Sequence, residues 1–422
     1  MDREVIKAII VEGQELLEEI VAVGRDFEFE AAARYVFVGV RQSGKSYMLY
    51  LRAQALIASG HELREMLFIN FDDERLIGFT TADFDLILQV YASMYDCRPI
   101  LFLDEIQNIE GWEHFARRLA NRKYMVYITG SNAKMLSRDI ATVLGGRFIE
   151  QYIFPYSFRE FLDSHGIRLE TGWEYGRVRG EVERLLTEYF RWGGFPELNL
   201  YVNKRRWLNE LYEKIILGDI VARNGIRNEK GIRLTISRLA SNIRQPTSYN
   251  RLANMIKGAG VSTNVASVSD YIGYCRDACL LFEVENYGSK FSEREAVKKH
   301  YFIDNGLLTI FLTDSDTSLL ENLCALTLYR AWKGGEGEKV WFYNKEVELD
   351  FYLADSRRGI QACYSLSDPA TEEREVRALV RFHELYGLQE AEIVTWSEER
   401  VIERGNLSIK VIPLLKWLLS IL

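Results

Sequence analysis

From Met1 to about Ala33 the apolar residues recur at helical spacing, with Ile6, Ile9, Ile10, Leu16, Leu17 and Ile20 on one stripe. Short apolar runs then alternate with helical stretches to about residue 155: Tyr35 to Val40, Met66 to Phe71, Ile100 to Leu103, Tyr124 to Thr129 and Phe148 to Phe154. Runs of this kind, mostly with helices between them, predict an α/β domain over residues 1–155 whose parallel sheet is covered by helices on both faces. Residues 156–225 read as a helical, aromatic-rich, lid-like segment broken by a turn at Trp192-Gly193-Gly194-Phe195-Pro196-Glu197. Across 226–297 several short helices close on the strand Cys279 to Val284, which predicts a winged helix-turn-helix. Residues 298–422 predict a small third α/β unit, with strands at His300 to Ile303, Val340 to Tyr343, Glu348 to Leu353, Gly359 to Tyr364 and Glu392 to Thr395, and helices near Leu323 and Leu379.

Composition narrows the class. A chain of 422 residues is long enough for several domains, and 48% hydrophobic residues with six prolines exclude disordered and low-complexity types. Lys plus Arg number 53 against 61 Asp plus Glu, a net charge of -8, which argues against a protein that packs nucleic acid over its whole surface. No apolar run reaches the ~18 residues of a membrane span and no leader pattern opens the chain, so neither a membrane nor a secreted location is expected. Five scattered cysteines without a Cys-x-x-Cys pair predict a reducing, cytoplasmic setting, and the five dispersed histidines give no zinc spacing.

The informative segment is Gly39-Val40-Arg41-Gln42-Ser43-Gly44-Lys45-Ser46, which satisfies G-x-x-x-x-G-K-[ST] between an expected strand and an expected helix. Such a loop lets backbone amides converge on a β-phosphate at a helix N-terminus, so Gly39, Arg41, Gln42, Ser43 and Gly44 are candidate nucleotide-binding residues. Lys45 would bridge the β- and γ-phosphates, and the Ser46 hydroxyl would ligate Mg²⁺. The strand Ile100 to Leu103 ends in Asp104-Glu105, predicting Asp104 in the metal shell and Glu105 as general base. Past the next run, Ser131 or Asn132 could sense the γ-phosphate or cap the following helix. Arg147 is a candidate to neutralise γ-phosphate charge, in its own subunit or in a neighbouring one of a homo-oligomer. Asn344-Lys345-Glu346-Val347 fails the guanine-reading pattern at its last position, so ATP is expected rather than GTP.

The strings GVRQSGKS, LFLDEIQN, ITGSNAKML and GGRF, followed by FPYSFREFL, GGFPE and GDIVARNGIRN, resemble the AAA-type ATP-binding proteins of bacteria and archaea that carry a C-terminal domain of unknown function. The resemblance spans nearly the whole chain. It implies an AAA+ P-loop core using ATP and Mg²⁺, a helical segment, a winged-helix unit and a C-terminal domain similar to PD-(D/E)xK nucleases. It maps the nuclease acids onto Glu321 and Asp350, but offers Gln361-Ala362-Cys363 where an acid, one residue and a lysine belong. A neutral amide and a thiol do not replace those groups, so a degenerate fold without cleavage is expected there. Between Arg223 and Lys257 there are eight basic residues (Arg223, Arg227, Lys230, Arg233, Arg238, Arg244, Arg251, Lys257) and one acid, Glu229, so the region is either a DNA surface, with Ser262 to Tyr271 as recognition helix, or a set of cations turned to the acidic ATPase domain or to solvent. The readings carried forward are an ATPase that couples hydrolysis to domain rearrangement, an ATP-gated nucleic-acid-binding switch with little turnover, and an ATP-regulated nuclease.

Overall fold

The computed structural model describes residues 1–130, 142–288, 297–313 and 315–420. It divides into two compact units, Met1–Phe154 and Pro155–Leu422.

In the first unit, α1 (Arg3–Glu19) precedes β1 (Tyr35–Val38), α2 (Lys45–Ala58), β2 (Met66–Asn70), α3 (Phe84–Met94), β3 (Ile100–Asp104), α4 (Trp112–Asn121), β4 (Val126–Gly130) and β5 (Ile149–Tyr152). The five strands are all parallel, in the order β2-β3-β4-β1-β5. Strand alternation sends Val36, Val38, Leu67, Ile69, Leu101 and Leu103 into one core with Ile6, Ile10, Phe84 and Phe115 from α1, α3 and α4. Tyr35, Phe37, Phe68, Phe102 and Tyr127 enter the opposite core with Met48, Leu49 and Ala53 of α2. The expected α/β architecture is therefore present, with helices on both faces. Gly13 of α1 backs onto Phe68, where a Cβ would lie 2.7 Å from the Phe68 carbonyl oxygen, so the helix lies close on β2.

The second unit opens with α5 (Phe158–Ser164), α6 (Arg179–Trp192), α7 (Lys204–Lys214) and a π-helical stretch, Ile215–Ala222. There follow α8 (Glu229–Ser241), β6 (Thr247–Ser248), α9 (Tyr249–Gly258), α10 (Val265–Asp277), β7 (Leu281–Asn286) and β8 (Val297–Phe302). The remainder is α11 (Asn305–Thr309), α12 (Asp316–Gly334), β9 (Val340–Asn344), β10 (Glu348–Leu353), β11 (Arg358–Ala362), α13 (Pro369–Tyr386), β12 (Glu390–Thr395), β13 (Arg400–Arg404), β14 (Leu407–Pro413) and α14 (Leu414–Ser420). Nine strands form one mixed sheet, β13-β14-β12-β11-β10-β9-β7-β8-β6. This corrects the expected division at residue 298. β8 crosses it, and β7 pairs in parallel with β9, so strands assigned to separate units share one hydrogen-bonded ladder. The turn before Phe195 is held by Asp304, whose carboxylate accepts from the Gly194 amide at 2.8 Å and the Gly306 amide at 2.7 Å.

Candidate phosphate-binding site

The loop between β1 and α2 leaves the carboxyl edge of the parallel sheet, where open α/β sheets bind ligands. Gly39 sits so tightly that a Cβ there would overlap the Ile153 carbonyl oxygen. Gly44 caps α2 at φ 95°, a left-handed conformation natural to glycine. Gln42 (φ 61°) and Glu105 (φ 49°) adopt positive φ without that freedom, and both lie in loops leaving this edge.

Lys45 is buried, and its Nζ donates to the Val40 carbonyl oxygen at 3.0 Å. The Ser46 hydroxyl donates to Asp104 Oδ1 at 3.0 Å, so β3 and the first turn of α2 meet where the motif reading expects a shared metal. Ser43 Oγ is buried with no hydrogen-bond partner among the described residues, and Gly39 leaves the loop without a side chain at its start. An orphaned hydroxyl, a buried ammonium, a hydroxyl–carboxylate pair and a helix N-terminus on one loop fit a magnesium-bound polyphosphate.

Sequence reasoning passed over Thr129. This buried residue of β4 donates to Asp104 Oδ1 and accepts from the Glu105 amide at 3.0 Å, so one hydroxyl orients both acids. Its signal was a polar side chain within the apolar run Val126-Tyr127-Ile128. Gln107 Nε2 donates to Glu105 Oε2, an equally local contact that the motif does not mark. Burial pushes the Asp104 carboxyl up to about 6; the Thr129 hydrogen bond opposes this, the Glu105 charge adds to it, and Ser46 and Lys45 again oppose it.

Ser131 and Asn132 lie outside the described residues. Arg147 is not brought to the site. It precedes β5, whose first residue Ile149 is in register with Tyr35 at the start of β1, and its Nε donates to Asn121 Oδ1 at 2.6 Å beside the C-terminal end of α4. That is the opposite edge of the sheet, which corrects the expectation that it acts within its own subunit.

In the second unit, Glu321 and Asp350 do meet, but around Lys299 of β8. The fully buried Nζ lies 3.0 Å from Glu321 Oε1 and 3.0 Å from Asp350 Oδ1. Tyr301 also donates to Glu321 at 2.8 Å. Gln361 is consumed internally, its Oε1 accepting from the Asp350 amide at 2.8 Å and its Nε2 donating to Glu375 at 2.9 Å. Among the described residues no group of three or more His, Cys, Asp or Glu side chains is placed to hold a metal ion. Cys363 is buried, and burial pushes its thiol up to about 11.

The basic segment also differs from its sequence reading. Arg233 is bound by Glu213 at 2.7 Å and Glu229 at 2.7 Å, whereas Arg223, Arg227, Lys230, Arg238, Arg244, Arg251 and Lys257 form no ion pair among the described residues. The expected recognition helix is α10, which starts at Val265 behind an Asn264 cap; Val265, Ala266 and Asp270 are exposed on it, and Arg276 pairs with Glu283.

Residues 33–162 match the family described as AAA domain, and residues 183–318 match a domain of unknown function, DUF8612. An uncharacterized protein of Methanocaldococcus jannaschii is 30% identical over 439 residues, covering 100% of this chain and 96% of its own. One from Haemophilus influenzae is 28% identical over 343 residues, covering 79% of this chain and 83% of its own. Among solved structures, a Walker-type ATPase of Pyrococcus abyssi aligns with a TM-score of 0.43 at 13% identity, over 74% of this chain and 95% of that one.

Proposed function

Because the chain belongs to the same family as the Methanocaldococcus jannaschii protein it matches from end to end, with an AAA domain in its N-terminal part, we propose that it is a magnesium-dependent ATPase. The observation that carries this is the Ser46–Asp104 hydrogen bond beside the buried Lys45, which joins the loop after β1 to the acidic end of β3. Ser46 and Asp104 would hold Mg²⁺, which when bound offsets charge on the phosphate oxygens. Lys45 would exchange the neutral Val40 carbonyl for anionic phosphate oxygens, so that both donor and acceptor of the bond are charged. Glu105 would accept the proton of the attacking water, its backbone held by Thr129 and its carboxylate by Gln107. Hydrolysis would be coupled to movement of the second unit. Arg147, at the far edge, would serve only a neighbouring copy in a homo-oligomer. The scattered cysteines, without a Cys-x-x-Cys pair, would suit a reducing cytoplasm, and no described helix is long and apolar enough to cross a membrane.

Phosphate release by the wild type, Lys45→Ala and Glu105→Gln tests the reading. Glu105→Gln is expected to keep ATP bound while losing ~10²- to 10⁴-fold in turnover, and turnover equal to wild type would refute the assigned base.

A second reading is favoured by the unpaired cations. The order α8, β6, α9, α10, β7, β8 supports a winged-helix unit, and the cations lie on α8, α9 and adjoining loops rather than on α10. That distribution suits phosphate binding rather than base reading, so ATP would gate DNA binding of low sequence selectivity. A gel shift across salt concentrations checks it: affinity should fall steeply with salt and be largely independent of sequence.

For the C-terminal strands, the Lys299 ammonium between Glu321 and Asp350, with Gln361 engaged, supports a degenerate nuclease-like fold that does not cleave.

A further inference from the structure

Arg25 lies outside the phosphate-loop motif, between α1 and β1. It is half-buried, and it donates from Nη1 to the Ser43 carbonyl oxygen at 3.2 Å and from Nη2 to the Phe154 carbonyl oxygen at 2.7 Å. Ser43 is in the phosphate loop, and Phe154 is the last residue of the first unit.

A trans peptide is planar, with its carbonyl and the following N–H on opposite sides. Among the described residues no peptide bond is cis. Holding the Ser43 oxygen toward Arg25 therefore turns the Gly44 N–H the other way. Gly44 caps α2, so this N–H is among the donors that a helix start leaves without an intrahelical acceptor. The loop is braced on the same strand exit a second time, because Gly39 packs directly on the Ile153 carbonyl. A planar fork with several donors can span two carbonyls at once, whereas an ammonium is a single flexible point charge.

We propose that Arg25 is a positioning residue for phosphate binding. It fixes the plane of the Ser43–Gly44 peptide against the Ile153–Phe154 backbone and so holds the Gly44 amide ready for a phosphate oxygen before nucleotide arrives. This rests on the reading of residues 39–46 as the phosphate cradle.

The test compares wild type, Arg25→Ala, Arg25→Lys and Lys45→Ala as full chains, by ATP titration, steady-state kinetics and hydrogen exchange at the Gly44 amide without nucleotide. Arg25→Ala should raise Kd and KM for ATP about tenfold with kcat changed less than about twofold, because pre-organisation is lost and the reacting groups are kept. Exchange at Gly44 should speed up, and Arg25→Lys should recover part of both effects. Should Arg25→Ala not fold, Arg25→Lys carries the comparison, with a rise of about threefold in Kd. Wild-type Kd and Gly44 exchange in the arginine variants, with binding lost in Lys45→Ala, would overturn the positioning role and leave the cradle standing. Wild-type Kd in Lys45→Ala as well would overturn the cradle and this inference together.

Discussion

The Thr129 hydroxyl serves two acids at once, so its loss should be felt at both. Thr129→Val keeps the shape but leaves the Asp104 carboxylate and the Glu105 amide short of a partner, at a cost of about 1–3 kcal/mol measurable by urea unfolding. Turnover should fall with it, because the base loses its backbone anchor. Asp104 predicts a pH dependence. Its folded carboxyl is pushed up to about 6 from an ordinary 3.8, so between those values the folded chain binds the extra proton. This group's contribution therefore declines as pH rises from about 4 through 6, and urea midpoints at pH 5 and 8 should differ less in Asp104→Asn than in wild type. Proton and metal compete for the same oxygens, so magnesium-dependent ATP affinity should weaken as pH drops through about 6. Lys45, Ser46, Asp104 and Glu105 were legible because their geometry follows from short strings at strand ends. Thr129 and Arg25 were not, since their partners lie 25, 18 and 129 residues away.

The elements of the first unit were readable as apolar runs because its strands are buried on both faces. β13 and β14 were missed: in Arg400–Arg404 only Ile402 is buried, and charges flank it, so the strand carries almost no apolar signal. β8 was read as the opening of a separate unit, although it supplies the counter-charge for acids on α12 and β10. Burial, helped by the Asp350 charge, pushes the Glu321 carboxyl up to about 7 even though the neighbouring Lys299 ammonium opposes the rise. Lys299→Ala would strand both acids and should destabilise the second unit by about 3–5 kcal/mol, increasingly as pH rises. The triple variant Lys299→Met, Glu321→Gln, Asp350→Asn should lose much less, and equal losses in both would show that packing rather than charge governs the site.

For the whole molecule, the acidic total conceals a local excess of cations. A net charge of -8 coexists with seven cations of the segment 223–257 that have no ion pair among the described residues. Exchanging Lys230, Arg238, Arg244 and Arg251 for alanine should flatten the dependence of DNA affinity on log salt, by about one for each phosphate that is no longer neutralised, with ATP binding unchanged. The AAA core and the DNA question can thus be tested apart, and the core comes first. The most direct test is equilibrium binding of ATP in magnesium buffer by wild type and Lys45→Ala. The wild type should hold one equivalent of nucleotide, and the variant should bind at least about tenfold more weakly, because a buried ammonium that meets the phosphates is gone. A wild-type protein that retains no adenine nucleotide, or a variant that binds it equally well, would contradict the account.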